Sequence, residues 1–534
     1  MVISFSALIK NHRRLVAALA GLLIALHPAP AAGFSPKTAP TVTAEKAANM
    51  EVRYFTELLT ASSQSSLDRQ FGPIAGTEVT TVVCAPMGWR FYNFPSEVDR
   101  TWREPEEFPR KTELFPAWRK MVDNLAAGGD PLRDALAMTR RMDKRFVVSF
   151  RMNDSHYVYN EEFPMHNNFW RAHPEYRLGQ DTVSKAVSES TKVFNYLRPE
   201  VRDFYFAVLE EICTKYDIDG VELDFQRAPR FFYNREIDQG RTVMSAYVGR
   251  IREMLDRVSQ QRGRALELGV RVLPTIAENQ AIGLDVLAWD AAGWLNGIVV
   301  SSYYIHTADT GIEEFSEGTR TARVFGELNY VHFQAAGTGH NANERRYLTP
   351  ETYRAATLSY LERGADGVSF FNTYCIPPAP LGKLMQDLLG KFRNLAVLQR
   401  SDKNYTTYAN KGTIFGKIFP AKDESDYQVF IADKMPGIFG KAVLRLETRA
   451  PSLDLRVEAW VNGTKAVVLD AREPELFLPL AVNDASPKRD KLKFFAVPVS
   501  ALKFGANRVL VKNLDRATQS CDFVSSELGL YLAK

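Results

Sequence analysis

Between residues 50 and 395, short apolar runs of strand length alternate with longer runs whose apolar positions recur every three or four residues. The short runs predict strands at 79–84, 146–150, 220–224, 266–272, 297–303, 328–333 and 367–371, with a weaker one at 52–55. Helical runs at 131–143, 199–215, 244–260 and 349–363 lie between most of them. In the last of these, Ala355, Leu358 and Leu361 make an apolar stripe, and Glu362 reads as its solvent side. Strands that alternate with helices predict a parallel sheet. Seven or eight such units in about 345 residues fit a (β/α)8 barrel with insertions better than an open doubly wound sheet. No Gly-x-Gly-x-x-Gly turn follows the first clear strand, so no dinucleotide cofactor is expected.

From about residue 400 the helical period fades and the alternation of strands takes over, at 442–448, 453–461, 493–497, 508–511 and 528–532. Asn462-Gly463 is a hairpin signal. The fold class expected is therefore α/β, a (β/α)8 barrel over 33–398 followed by an antiparallel β-sandwich over 399–534. Within 453–461, Asp454, Arg456 and Glu458 read as the solvated side and Trp460 as core. With few aromatics set out on its strands, the second domain reads as a structural partner of the barrel.

The N-terminus changes the compartment. Lys10, His12, Arg13 and Arg14 precede an apolar run at 15–26 and then Ala29-Pro-Ala-Ala-Gly33, the order of a secretory signal peptide. That run is shorter than the roughly 20 residues a membrane span needs. Cleavage near Ala31-Ala32 and export to the periplasm or outside the cell are expected, with no membrane span. The net charge of +4 is spread along the chain without a basic block, which argues against nucleic acid as a partner. Cys84, Cys213, Cys375 and Cys521 are far apart and read as small buried hydrophobes.

Candidate chemistry gathers at the strand ends, where the loops of a barrel carry its site. The run Gly220-Val-Glu-Leu-Asp-Phe225 is the sharpest case. Val221, Leu223 and Phe225 face one side of the strand, and Glu222 and Asp224 the other. Two adjacent carboxylates on a buried strand repel, and at least one pKa should rise. Arg151, Asn153, Asp154 and His156 follow the strand before it, and Gln226 and Arg227 extend the run itself. Arg271 and Glu278 come next, then Tyr303, Tyr304, His306 and Asp309, and Asn372 and Tyr374 after the last strand. Carboxylates for acid and base work, amides and arginines for hydroxyls, and rings for pyranose faces describe a carbohydrate pocket. His156, His166 and His173 match no common zinc spacing, and no Gly-x-Ser-x-Gly elbow occurs, so no metal and no serine nucleophile are expected.

Pro199-Glu-Val-Arg-Asp-Phe204, Tyr216-Asp-Ile-Asp-Gly220, Asp224 and Trp170-Arg-Ala-His-Pro-Glu-Tyr176 resemble the glycosyl-hydrolase-like-10 family of bacterial barrel proteins. Gly72-Pro-Ile-Ala-Gly-Thr77, Phe150-Arg-Met-Asn-Asp154, Gly269-Val-Arg-Val272, Gly283-Leu-Asp285 and Ala365-Asp-Gly367 are similar to runs in a group of large exported bacterial proteins with a terminal β-sandwich. The resemblance implies a hydrolase-type barrel and no particular sugar. In family 18 chitinases the proton-donating Glu stands where this chain has Gln226, so chitinase chemistry is not expected. The large retaining clan pairs carboxylates after strands four and seven. Here the expected seventh strand, running into Asn329-Tyr-Val-His-Phe-Gln334, ends without one. The expectation is a glycoside hydrolase with Asp224, Glu222 and Glu278 as catalytic carboxylates. Arg151, Asn153, Asp154, His156, Arg227, Arg271, Tyr303, Tyr304, His306 and Asn372 would hold the substrate. The alternative is a carbohydrate-binding barrel without catalysis.

Overall fold

The computed structural model describes residues 42–59, 61–104, 106–179, 192–302, 310–333, 345–376, 382–408, 419–421, 424–434, 436–448, 456–469, 477, 492–515 and 521–533. Eight parallel strands close into a barrel: β1 Glu51–Glu57, β2 Thr81–Ala85, β3 Arg145–Arg151, β4 Gly220–Asp224, β5 Glu267–Val272, β6 Gly297–Val300, β7 Arg323–Asn329 and β8 Gly367–Phe371. The last strand pairs with the first, Glu51 opposite Gly367 and Arg53 opposite Ser369. That seam needs a residue without a side chain, because a Cβ on Gly367 would lie 2.1 Å from the Glu51 carbonyl oxygen.

Strand parity sorts the residues. Val52, Tyr54, Val82, Phe146, Val148, Val221 and Leu223 point outward into the apolar shell shared with the helices. The inward set includes Arg53, Glu57, Ser149, Arg151, Glu222, Asp224, Arg271, Glu327 and Asn329, all buried. Inside the barrel, the apolar filling is a small cluster of Phe55, Val83, Ala85, Val147 and Phe371. At the N-terminal end of the strands, Glu51 pairs with Arg323, Arg323 with Glu267 at 3.2 Å, and Arg145 with Glu267 at 2.6 Å and Glu51 at 3.7 Å. The interior is thus a thin apolar slab between two layers of charge.

The polar interior explains the one strand that the apolar pattern misplaces. The seventh strand was expected at 328–333, and it lies at Arg323–Asn329. Its inward positions Arg323, Glu327 and Asn329 are polar, so the true strand lacks an apolar run. Val331–Phe333 instead pairs antiparallel with Arg345–Tyr347, outside the barrel. The sixth strand ends at Val300, short of the expected 303, which lies outside the described residues.

Beyond the barrel, two antiparallel sheets form. β9 Lys403–Tyr408, β10 Phe419–Ala421, β12 Phe439–Thr448, β15 Val467–Leu469, β16 Leu492–Val497 and β18 Cys521–Leu532 make one. β11 Glu424–Ile431, β13 Val457–Val461, β14 Thr464–Lys465 and β17 Gly505–Asn513 make the other. Asn462 and Gly463 both take left-handed backbone in the turn between β13 and β14, as the hairpin signal predicts. Trp460, expected in the core, lies on the outer face with Glu458, beside Lys465 and Lys512 at 5.6 Å. The reason is parity: Val457, Ala459 and Val461 take the buried positions.

The helix Pro350–Glu362 joins barrel and sheet. Its inner side packs on the barrel, with the Tyr353 and Tyr360 hydroxyls donating to the Asn329 carbonyl at 2.7 Å and the Glu327 carbonyl at 3.2 Å. Its outer side meets β9, where Asn404 donates to Thr352 Oγ1 at 3.3 Å and to Glu527 Oε2 at 2.9 Å. Glu362, expected in solvent, is buried, accepts from the Val42 amide at 3.3 Å, and pairs with Lys434 at 3.1 Å. A surface helix became an internal one because a second domain covers it. Cys84 and Cys213 are buried as expected, whereas Cys375 is exposed.

Candidate active site

The C-terminal ends of β4, β5, β6 and β7 converge on Arg271. Its Nη1 donates to Asp224 Oδ1 at 2.9 Å, and its Nη2 to Glu327 Oε1 at 3.1 Å and Ser301 Oγ at 3.2 Å. Its Nε makes a short bond to Glu327 Oε2, so the guanidinium grips that carboxylate with two nitrogens. The face of the group lies 4.0 Å from the Phe371 ring centre. Glu327 Oε1 also accepts from Ser301 Oγ at 2.6 Å and Asn329 Nδ2 at 2.8 Å. Asp224 Oδ1 accepts from the amides of Gln226 at 3.0 Å and Arg227 at 3.2 Å, which turns the chain sharply off the strand. Asp224 Oδ2 is buried and has no hydrogen-bond partner among the described atoms. Gln226 gives its Nε2 to the Ser301 carbonyl at 2.8 Å, on the same side of the barrel.

Glu222 lies one layer deeper. It accepts from Arg53 Nη2 at 2.6 Å and Ser149 Oγ at 3.0 Å. Burial pushes its carboxyl above the usual range; Arg53 opposes the shift, and the nearby Asp224 adds to it. The adjacent-carboxylate argument from the sequence therefore holds in direction, with burial as the larger cause.

After β3 a second polar chain runs outward. Arg151 pairs with Glu57 and donates to Asp154 Oδ2 at 3.2 Å. Asp154 Oδ1 receives the His156 amide at 2.8 Å and its Nδ1 at 2.7 Å, while Arg227 reaches His156 Nε2. These roles fit a neutral imidazole that donates from Nδ1 and accepts at Nε2. Burial and the Arg227 charge push His156 down to about 4, against the pull of Asp154. Burial alone would raise the Asp154 carboxyl, yet His156 and Arg151 hold it well below the usual range.

Arg151, Asp154, His156, Arg227, Asp224 and Arg271 thus form a connected set along β3, β4 and β5, with Glu222 held separately by Arg53 and Ser149. Asn153 spends its amide on the loop backbones, donating to the carbonyls of Phe194 at 2.9 Å and Arg230 at 2.7 Å. Asn372 opens the turn after β8 with left-handed backbone. Glu278 sits in the first turn of the helix Ile276–Ala281, where Thr275 Oγ1 donates to it at 3.0 Å. Among the described contacts, none links Glu278 to Asp224. Tyr303, Tyr304, His306 and Asp309 lie outside the described residues. Glu327, Ser301 and Arg53 were missed. The alternation Arg323-x-Phe325-x-Glu327-x-Asn329 was the available signal, hidden because its inward face is polar. Among the described residues, no three His, Cys, Asp or Glu side chains gather as a metal-binding group, and no helix is long and apolar enough to cross a membrane.

Residues 112–250, which include β3, β4 and their loops, match the model of the family Glycosyl hydrolase-like 10. No curated protein matches the sequence. Among solved structures, the chain is similar to the chitinase ChiW from Paenibacillus sp. str. FPU-7, at 11% identity over 87% of this chain and 52% of that one, with a TM-score of 0.37. It is also similar to the PgaB (BpsB) glycoside hydrolase domain from Bordetella bronchiseptica, at 8% identity over 64% of this chain and 99% of that one, with a TM-score of 0.39. A third is alpha-L-fucosidase isoenzyme 2 from Paenibacillus thiaminolyticus, at 15% identity, 65% and 49% coverage and a TM-score of 0.40. The chain spans about half the length of the chitinase and of the fucosidase. The protein carries a glycoside-hydrolase-like (β/α)8 barrel followed by antiparallel sheets.

Proposed function

We propose that this protein is an exported glycoside hydrolase that cleaves O-glycosyl bonds in a polysaccharide or its oligosaccharides. The observation that carries the reading is the pair Asp224 and Glu327, brought from strands four and seven onto one guanidinium at the C-terminal end of the barrel. That end is where barrel enzymes do their chemistry. Glu327 takes the place that Glu278 was expected to fill. One carboxyl would protonate the leaving oxygen, and the other would attack the anomeric carbon or activate water. Arg271 holds both in position before the sugar arrives. Glu222 serves as the buried counter-charge of Arg53, and Arg151, His156 and Arg227 are placed to hold hydroxyls. The family match over 112–250 supports a sugar-directed site.

One observation favours the non-catalytic alternative: Glu222, Asp224 and Glu327 are each paired with arginine, and none is more than 3% exposed. Reducing-end release from a panel of polysaccharides and aryl glycosides separates the readings. Asp224→Asn and Glu327→Gln should each lower turnover by at least a hundredfold, a size usual for loss of acid or base. Full activity in either variant overturns the assignment. Binding by the wild type without product after long incubation establishes the binder.

A further inference from the structure

Two bulky residues near this site hold a backbone conformation that bulky residues avoid. Trp89 and Tyr157 both have φ of 54°, in the left-handed region. Trp89 sits in the two-residue turn of a hairpin that pairs Gly88 with Phe91, a position where glycine is the usual choice. Tyr157 follows His156 on the loop after β3. Their rings touch edge to face, with centroids 5.3 Å apart. Strain of this kind persists only where the surroundings fix it, and it gathers at binding sites.

The surroundings do fix it. Arg90, next to Trp89, donates to His166 Nδ1 at 3.1 Å and to the carbonyls of Asp154 and His156. His166 therefore carries its proton on Nε2, which points at the Tyr157 carbonyl at 3.1 Å and the Asn160 carbonyl at 3.0 Å. Phe163, buried, stacks on one face of Tyr157 with centroids 3.9 Å apart and planes within 9°. Tyr157 is nonetheless 37% exposed and Tyr159 62% exposed, with their ring centroids 5.9 Å apart. A ring backed by Phe163 and still partly exposed can serve as a platform.

We propose that Tyr157 and Tyr159, backed by Trp89 and Phe163, form an aromatic subsite for the pyranose rings of a glycan. The inference rests on the glycoside reading and extends it outward. The path is continuous: Asp224 accepts from the Arg227 amide, Arg227 reaches His156, and His156 lies 5.9 Å from Trp89. The C–H faces of a sugar pack on such rings while its hydroxyls reach polar edges. The nearby charges already have partners. Arg90 bonds to carbonyls, Arg151 to Glu57 and Asp154, and Arg227 to His156.

The test uses the full chain in an Asp224→Asn background, so that bound sugar is not turned over. Calorimetry and affinity electrophoresis with cello-, laminari-, malto- and chitooligosaccharides of two to six units give the binding. Tyr157→Ala and Tyr159→Ala should each weaken binding of the longer oligosaccharides about tenfold, near the size of one aromatic contact. Tyr157→Phe, which keeps the ring, should bind like its parent. Tyrosine-to-alanine variants that keep their circular dichroism and bind like the parent overturn the subsite, and so does a parent that binds no glycan of the panel. The catalytic reading fails separately. If Asp224→Asn hydrolyses like the wild type while the alanine variants lose binding, the subsite stands and the carboxylate assignment falls.

Discussion

Asp224 and Glu327 are held by the two terminal nitrogens of one side chain, at 2.9 and 3.1 Å from Arg271. Neither carboxylate has a second basic partner among the described ion pairs. Arg271→Met should therefore leave two buried carboxylates facing each other and cost about 3–5 kcal/mol, the usual penalty for breaking a buried pair. Asp224→Asn should cost clearly less, because Arg271 keeps its grip on Glu327. Urea unfolding of the two variants checks the order.

Acid should loosen the loop after β3. His156 is pushed down to about 4 from 6.5, and His166, beside Arg90, also lies well below its ordinary value. At these two histidines the folded protein thus binds fewer protons than the unfolded chain as the pH falls below about 6.5, whereas buried carboxyls such as Asp99, raised to about 6, act in the opposite sense. The stability carried by the neutral histidines is full above about pH 6.5 and falls as the pH drops below it, by up to about 1.4 kcal/mol per unit for each histidine. The urea midpoint should fall between pH 7 and 4.5, and His156→Gln should shrink that fall. A His156→Gln variant whose midpoint changes with pH as the wild type's does would count against a neutral, buried imidazole at 156.

The seam of the barrel depends on Gly367. A methyl group there would sit 2.1 Å from the Glu51 carbonyl oxygen, which is backbone and cannot swing away. Gly367→Ala should lower stability by about 1–3 kcal/mol, as other overpacked sites do, and thermal unfolding measures it.

The C-terminal sheets should not stand alone. Residues 400–534 expressed without the barrel would expose Asn404, now buried against Thr352, and would leave Lys434 without Glu362. Aggregation, or a fragment inert toward glycans, is expected. A soluble monomeric fragment that pulls down polysaccharide as well as the full chain would show an independent sugar-binding module.

The outward faces of the barrel strands were legible because they are apolar and alternate cleanly. β4 and β8 were read with their observed bounds for that reason. The inward faces were less so. In β7 the inward residues Arg323, Glu327 and Asn329 are as polar as a loop, so the apolar pattern places the strand late and gives no sign that Glu327 faces inward. Trp460 was misread for a different reason: its hydrophobicity outweighed its parity with Glu458. Glu362 carried no sign of its fate, since only the second domain makes that helix internal. The left-handed backbone of Trp89 and Tyr157 has no signature in composition at all.

The charged floor of the barrel sets the direction of traffic. Glu51, Arg145, Glu267 and Arg323 bond across the N-terminal end, with the phenyl and valine slab above them. Among the described residues, this end of the barrel is filled by paired charges and packed rings. On the proposed reading, a sugar would approach Asp224 from the C-terminal end of the strands, where the loops after β2 and β3 also lie.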